Sequence, residues 1–350
     1  MSKVNSELNQ ESGDNSQNLL AGRDIVIHGI SRAEASEIAR SVFNDNALRL
    51  SQVAEDIARS RAEKITEDFL SSLYLKLPSS AGILADPDLQ MNLFAVQKSF
   101  AKSGKEELGN ILTDLLIDRV SVNGDELGVV VLNEAIEVVP KLTEQQRKIV
   151  TFVFMMRHTT PSNINSLEEY YLDYVPKYLY PACEGLSVEA IDFMHLTAVR
   201  VLSGGAEIKT LMRCLIWGLE GLYTNGFEAD QLSPELHAAA YGTNLFMPCL
   251  RDPTKWQINT LSYLTMGSFI KHTGFEKYTN EIESLSMVGF MTEESIHNEF
   301  LNSHPKAREL SELWSNPNYC RLLLSSSGMA IGHSMYQRIT GDSDSRPSWL

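Results

Sequence analysis

What this chain lacks narrows its function more than what it contains. It has only four cysteines, Cys183, Cys214, Cys249 and Cys320, scattered with no C-x-x-C and no Cys/His grouping. That spacing gives neither a disulfide framework nor a zinc site, and it fits reduced thiols in a cytoplasmic protein. The longest apolar runs, such as Gly128–Leu132 and Ile149–Met156, fall well short of the roughly 20 residues that a membrane-spanning helix needs. The opening MSKVNSELNQESGDNSQN is polar, without the apolar stretch of a secretory signal.

Catalytic signatures are equally scarce. No phosphate-binding loop is present: Ser103-Gly104-Lys105 lacks the upstream glycine and the hydroxyl residue that should follow the lysine. No G-x-G-x-x-G follows a strand pattern, and no G-x-S-x-G occurs. The eight histidines, His28, His158, His195, His237, His272, His297, His304 and His333, form no H-E-x-x-H. Asp192 and His195, three apart on one helical pattern, read as a surface pair. Ser325-Ser326-Ser327-Gly328 sits in a strand-to-helix turn and reads as a helix cap. No catalytic residue can therefore be assigned, and no cofactor or metal is expected.

What the chain does contain is acidic and largely helical in pattern. A formal net charge of −15 over 350 residues works against nucleic acid and anionic membrane as partners. Hydrophobic residues at 43% and charged residues at 21% belong to a globular chain. Residues 1–12 read as a disordered tail. Residues 13–30 read as a β assembly element: strands at 16–20 and 24–28 flank the Ala21-Gly22 turn. Asn18, Leu19, Ile25, Val26 and Ile27 are its contact residues, because Ile25-Val26-Ile27 is apolar on both faces and its edges need cover.

Ser31 and Glu34 then make a capping-box pattern opening a helix through Leu77, where Pro78 stops it. Ile38, Val42, Val53 and Ile57 recur at helical spacings between charges of both signs, which points to an intersubunit coiled-coil stalk. The alternative is a long helix lying along its own domain. A helical domain at 85–158 should follow, with helices over 89–100, 103–120 and 126–139 and one opened by Thr143 and Gln146. A second helical domain spans 166–341, with helices near 166–180, 187–203, 206–223, 233–241, 254–271, 277–287, 292–302, 305–315 and 326–339. Residues 342–350 form a tail. A strand at 319–324 feeding the last helix gives a small winged-helix-like element, the only support for a DNA-binding alternative. Five of the twelve tyrosines fall within 170–180. Tyr170, Tyr174 and Tyr178 are spaced to share one helix face and form a candidate partner surface.

Gly13-Asp14-Asn15-Ser16-Gln17-Asn18 with Ala21-Gly22-Arg23-Asp24-Ile25 resembles an N-terminal signature in a family of bacterial proteins of unknown function. Pro87-Asp88-Leu89, Glu106-Glu107-Leu108, Leu112–Leu116 and Val138 with Pro140-Lys141-Leu142-Thr143-Glu144 are similar to the helical region of abortive-infection alpha-type proteins. Leu324-Ser325-Ser326-Ser327-Gly328 is similar to their Leu-Thr-x-x-Gly endings, with Ser325 in place of the threonine. The resemblance implies phage defence and carries over no active site. The fold expected is mainly α. The function expected is an oligomeric scaffold or effector without enzymatic activity, meeting other copies of itself and a protein partner. A hydrolase or nuclease built from dispersed carboxylates is the alternative.

Overall fold

Asp125 and Thr143 show how locally this chain starts its helices. The Asp125 side chain accepts from the Gly128 backbone N–H at the start of one. Thr143 and Gln146 form the reciprocal capping box expected at the start of the next. A computed structural model describes residues 32–46, 52–122, 124–161, 164–205 and 208–341. The expected tail 1–12, the β element 13–30 with Asn18, Leu19, Ile25, Val26 and Ile27, the Ser31 cap and the tail 342–350 lie outside these residues.

The helices are α1 (Arg32–Asn46), α2 (Gln52–Lys76), α3 (Pro87–Ser103), α4 (Glu106–Ser121), α5 (Glu126–Val138), α6 (Glu144–His158), α7 (Tyr180–Cys183) and α8 (Ala190–Ala198). After them come α9 (Leu211–Ile216), α10 (Pro234–Ala240), α11 (Met266–Thr273), α12 (Thr279–Met287), α13 (Glu293–Ser303), α14 (Ala307–Ser315), α15 (Pro317–Cys320) and α16 (Ser326–Thr340). A π-helical segment, Glu169–Leu179, precedes α7. Strands β1 (Leu202–Gly204) and β4 (Leu322–Leu324) pair antiparallel, Leu202 opposite Leu324; β2 (Phe246–Pro248) and β3 (Trp256–Ile258) do the same, Phe246 opposite Ile258. The chain is thus mainly α. It divides into two compact units, one ending at Ser103 and one beginning at Gly104.

In the N-terminal unit the expected single stalk helix is two helices. The Arg32–Glu67 and Arg40–Glu63 ion pairs show that α1 runs back along α2. Their partners' numbers fall as α1 advances, which only an antiparallel pair allows. The cause is apolar area. Ala35, Ala39 and Phe43 of α1 are buried with Ile65, Phe69 and Leu73 of α2 and with Leu93, Val96 and Phe100 of α3, burial that a projecting helix would forgo. Gln97 of α3 ties the three together, its Nε2 donating to the Ala39 carbonyl at 3.1 Å and to Thr66 Oγ1 at 2.8 Å.

Helix α6 falls in the same compact unit as the C-terminal helices. The heart of this unit is α16 packed on α4, α5 and α6. Helix α6 is buried around most of its girth, through Ile149, Val150, Phe152, Val153, Phe154, Met155 and Met156. On α16, Gly328 and Gly332 allow backbone-close contact. A Cβ at Gly332 would meet Phe154 Cβ at 2.6 Å, and one at Gly328 would meet the Val201 carbonyl oxygen at 2.2 Å. A second apolar cluster of this unit gathers Phe227, Leu236, Ile258, Ile270, Phe275 and Ile282 from α10–α12 and the β2–β3 hairpin.

Four expectations about element ends are corrected. The helix expected from 103 starts later: Ser103 ends α3, and Lys105 is the N-cap of α4. Gly104, with a φ of 63°, breaks the chain between the two helices. The helices expected at 187–203 and 206–223 shorten to α8 and α9, and the one at 254–271 gives way to β3 and α11.

Gly332→Ala should destabilise the protein by about 1–2 kcal/mol. Overpacking costs about 1–3 kcal/mol and exceeds the ~1 kcal/mol helix-propensity gain, because Phe154 Cβ cannot rotate away. Gly267→Ala on α11, where an added Cβ meets nothing within 4 Å, should leave stability equal or raised. Denaturant unfolding of both variants checks the contrast, and equal behaviour would remove the close-contact account.

Candidate functional site

The apolar residues expected to form one assembly seam face different ways. Ile38 and Val42 border a small recess with Leu70, Leu84 and Leu93 inside the N-terminal unit, and both are half-buried. Val53 and Ile57 lie one turn apart near the start of α2 and remain 71% and 48% exposed. The seam is therefore half core and half surface.

The tyrosine surface is corrected as well. Tyr170 and Tyr174 are buried, with Tyr171 and Tyr180, and Tyr178 is half-buried. The rings of Tyr170 and Tyr174 stack with centroids 5.7 Å apart, and Tyr178 follows 5.1 Å from Tyr174. Leu172, Asp173 and Lys177 take the outer side. The reason lies in the backbone: the segment is π-helical, with the Tyr180 N–H donating to the Val175 carbonyl five residues back. It packs on α7 and α13, and the rings supply the apolar area this interior requires. Burial raises the Tyr170, Tyr171 and Tyr174 hydroxyls well above their ordinary range.

Asp192 and His195 do not pair directly. Gln146 bridges them, its Nε2 donating to Asp192 Oδ1 at 3.1 Å and its Oε1 accepting from His195 Nδ1 at 3.1 Å. Ser325 is the N-cap of α16: its hydroxyl accepts from the Gly328 N–H at 3.1 Å and donates to the Val201 carbonyl at 3.1 Å. The capping role is therefore real. The winged-helix expectation fails at the recognition helix, since α16 is largely buried in the core, whereas a recognition helix must be free to enter a groove. All four cysteines are buried thiols, and burial pushes Cys183 up to about 11 and Cys214 up to about 12. Among the described residues, no three His, Cys, Asp or Glu side chains group as a metal would require. None of their helices is long and apolar enough to cross a membrane.

One concavity of the C-terminal unit carries no local signal in the sequence. Arg157 and His158 end α6, Lys209 and Arg213 flank the start of α9, and Ile216, Trp217, Glu220, Phe290 and Glu293 complete a cavity of about 600 Å³. The Lys209 ammonium lies 4.4 Å from the Trp217 ring centre. Gly218 makes this turn possible. Its φ is +75°, and a Cβ there would sit 2.5 Å from Thr160. The His158 ring stacks on Phe154 with centroids 5.8 Å apart. Burial, then the Lys209 and Arg157 charges, hold the imidazole down at about 4. His158 is therefore neutral at physiological pH.

The chain belongs to an uncharacterised protein family whose model matches residues 29–349. No curated protein and no solved structure matches it.

The His158 environment predicts a pH dependence. In the unfolded chain an imidazole titrates near 6.5, whereas here it does so at about 4, so the unfolded state takes up its proton first as pH falls. The stability held by neutral His158 is complete above the unfolded value and is lost as pH falls through the folded one. Thermal unfolding of the native chain and of His158→Gln across that window should show the variant losing less. Parallel profiles would mean that His158 does not titrate this way.

Proposed function

We propose that this protein is a non-enzymatic interaction protein that assembles with further copies of itself through its N-terminal unit. The observation that carries the proposal is the outward-facing pair Val53 and Ile57 on α2, 71% and 48% exposed. Two branched apolar side chains one turn apart form the smallest unit of a helix–helix seam. The neighbouring Glu55 and Arg59 form an i,i+4 ion pair along the same helix, which keeps charge at the edge of that face. The occupant of the face is the same face of a second copy, since a self-complementary patch closes as a dimer. Residues 13–30, with Asn18, Leu19, Ile25, Val26 and Ile27, are proposed to extend the contact.

The resemblance to abortive-infection alpha-type proteins supports placing such an assembly in phage defence, as scaffold or effector. Assembly and defence are separable. Mass photometry of the full chain should show an oligomer that Val53→Asp with Ile57→Asp converts to monomer without loss of helical circular dichroism. A monomeric native chain, or an oligomer indifferent to both substitutions and to removal of residues 1–30, would overturn the assembly. In a bacterial host, expression should lower plaque formation and the double variant should restore it. Equal plaque numbers with and without the protein would remove the defence role alone.

A further inference from the structure

The cavity at the end of α6 has more cationic character than the rest of this acidic chain. Three permanent cations, Arg157, Lys209 and Arg213, line it against two carboxylates, Glu220 and Glu293. Both carboxylates are occupied by donors of the protein itself. Glu220 accepts from the Gly218 N–H at 3.1 Å and from the Tyr263 N–H at 2.9 Å. Glu293 accepts from Arg213 Nε at 3.3 Å and from the Thr210 hydroxyl at 3.2 Å. The chain carries −15 overall, so this lining departs from its average, as does that of the recess where Arg40, Arg59 and Lys64 face Glu63 and Glu67; of the two, only this pocket sets an indole ring beside its cations.

Arg157 and Lys209 are held in place, while Arg213 is an exposed side chain paired with Glu293. The Cys320 carbonyl accepts from Arg157 Nη2 at 2.6 Å and from the Lys209 backbone N–H at 3.0 Å. Trp314 Nε1 donates to the Lys209 carbonyl at 2.8 Å, and its ring lies 5.8 Å from the Arg157 guanidinium. Both backbone polar groups of Lys209 are thus bonded, which fixes the point from which its side chain reaches toward Trp217. That ring is 42% exposed, and Phe290 and Ile216 continue the apolar wall. A volume of about 600 Å³ falls within the roughly 300–1,000 Å³ of small-molecule sites, where a few charged groups orient a ligand against an apolar wall.

We propose that this pocket binds a small ligand joining a phosphate to a planar ring, the chemistry of a mononucleotide. The phosphate meets Lys209 and Arg213, with the buried Arg157 charge behind them, and the ring lies against Trp217 and Phe290. Charge alone would draw any anion, but the flat wall favours one that carries a π-face. His158 is held neutral first by its burial and then by the repulsion of Lys209 and Arg157. A bound phosphate would offset that repulsion and raise the protonation midpoint of the imidazole. The site does not depend on assembly through the N-terminal unit.

Calorimetric titration of the full chain with adenosine and guanosine monophosphates, adenosine and inorganic phosphate tests the proposal. At least one monophosphate should bind, with adenosine and inorganic phosphate each at least about tenfold weaker, a difference of about 1.4 kcal/mol. Lys209→Gln and Trp217→Leu should each weaken binding by about tenfold or more while thermal stability and oligomeric state stay unchanged. The His158 resonance should titrate at higher pH in the saturated protein than in the empty one. Absence of binding by both monophosphates at millimolar concentration would overturn the proposal. So would binding indifferent to both substitutions, or inorganic phosphate binding as tightly as the monophosphates.

Discussion

The contact between Gly332 of α16 and Phe154 of α6 is the constraint on which the C-terminal unit depends. Two helices whose backbones approach this closely leave no space between them for side chains to adjust, so each fixes the other's height and rotation. At the start of α16, Gly328 presses on the Val201 carbonyl, and Ser325 bonds the same carbonyl through its backbone N–H at 2.9 Å and its hydroxyl at 3.1 Å. Helix α16 is thereby pinned to the β1–β4 ribbon at one end and to α6 along its length. Everything at the C-terminal end of α6 inherits this position. Arg157 reaches the Cys320 carbonyl because β4 follows immediately, and Lys209 shares that carbonyl. The cationic pocket is a product of how the core closes.

The N-terminal unit obeys a different logic. Its three helices share one buried amide, Gln97, that reaches both of the other helices. A buried amide bonded on two sides favours one arrangement of the helices over sliding alternatives, since any slip would strand its donors. The unit buries one part of its apolar seam and exposes the other.

Sequence legibility followed local apolar pattern and capping signals. Helices α3, α5, α6, α13, α14 and α16 were expected close to where they lie, because each repeats its apolar pattern over several turns or carries a capping signal. Thr143 and Gln146 are the clearest case, with both reciprocal bonds formed. The β2–β3 hairpin was missed because strands of three residues are too short to show a period of two. The break between α1 and α2 was missed because each half keeps the same helical stripe, and the sequence does not show that the stripe folds onto itself. Tyr170 and Tyr174 misled for a related reason. Their spacing marked one face correctly, but composition cannot say whether an amphipathic ring faces water or core. The pocket residues, from 157 to 293, come together only in three dimensions, and no local pattern announces them.

The position of α16 late in the chain bears on how the protein comes to exist at all. Thr151 and Met335, 184 residues apart, touch in the finished core. As the polypeptide leaves the ribosome, α6 emerges with its apolar girth uncovered and waits for a partner made long after it. Long-range closures of this kind slow folding, since the entropy of the intervening loop is lost before the contact is gained. They also leave nascent chains open to aggregation and chaperone capture. A translation product stopped before residue 326 would lack α16, the helix that packs on α4, α5 and α6.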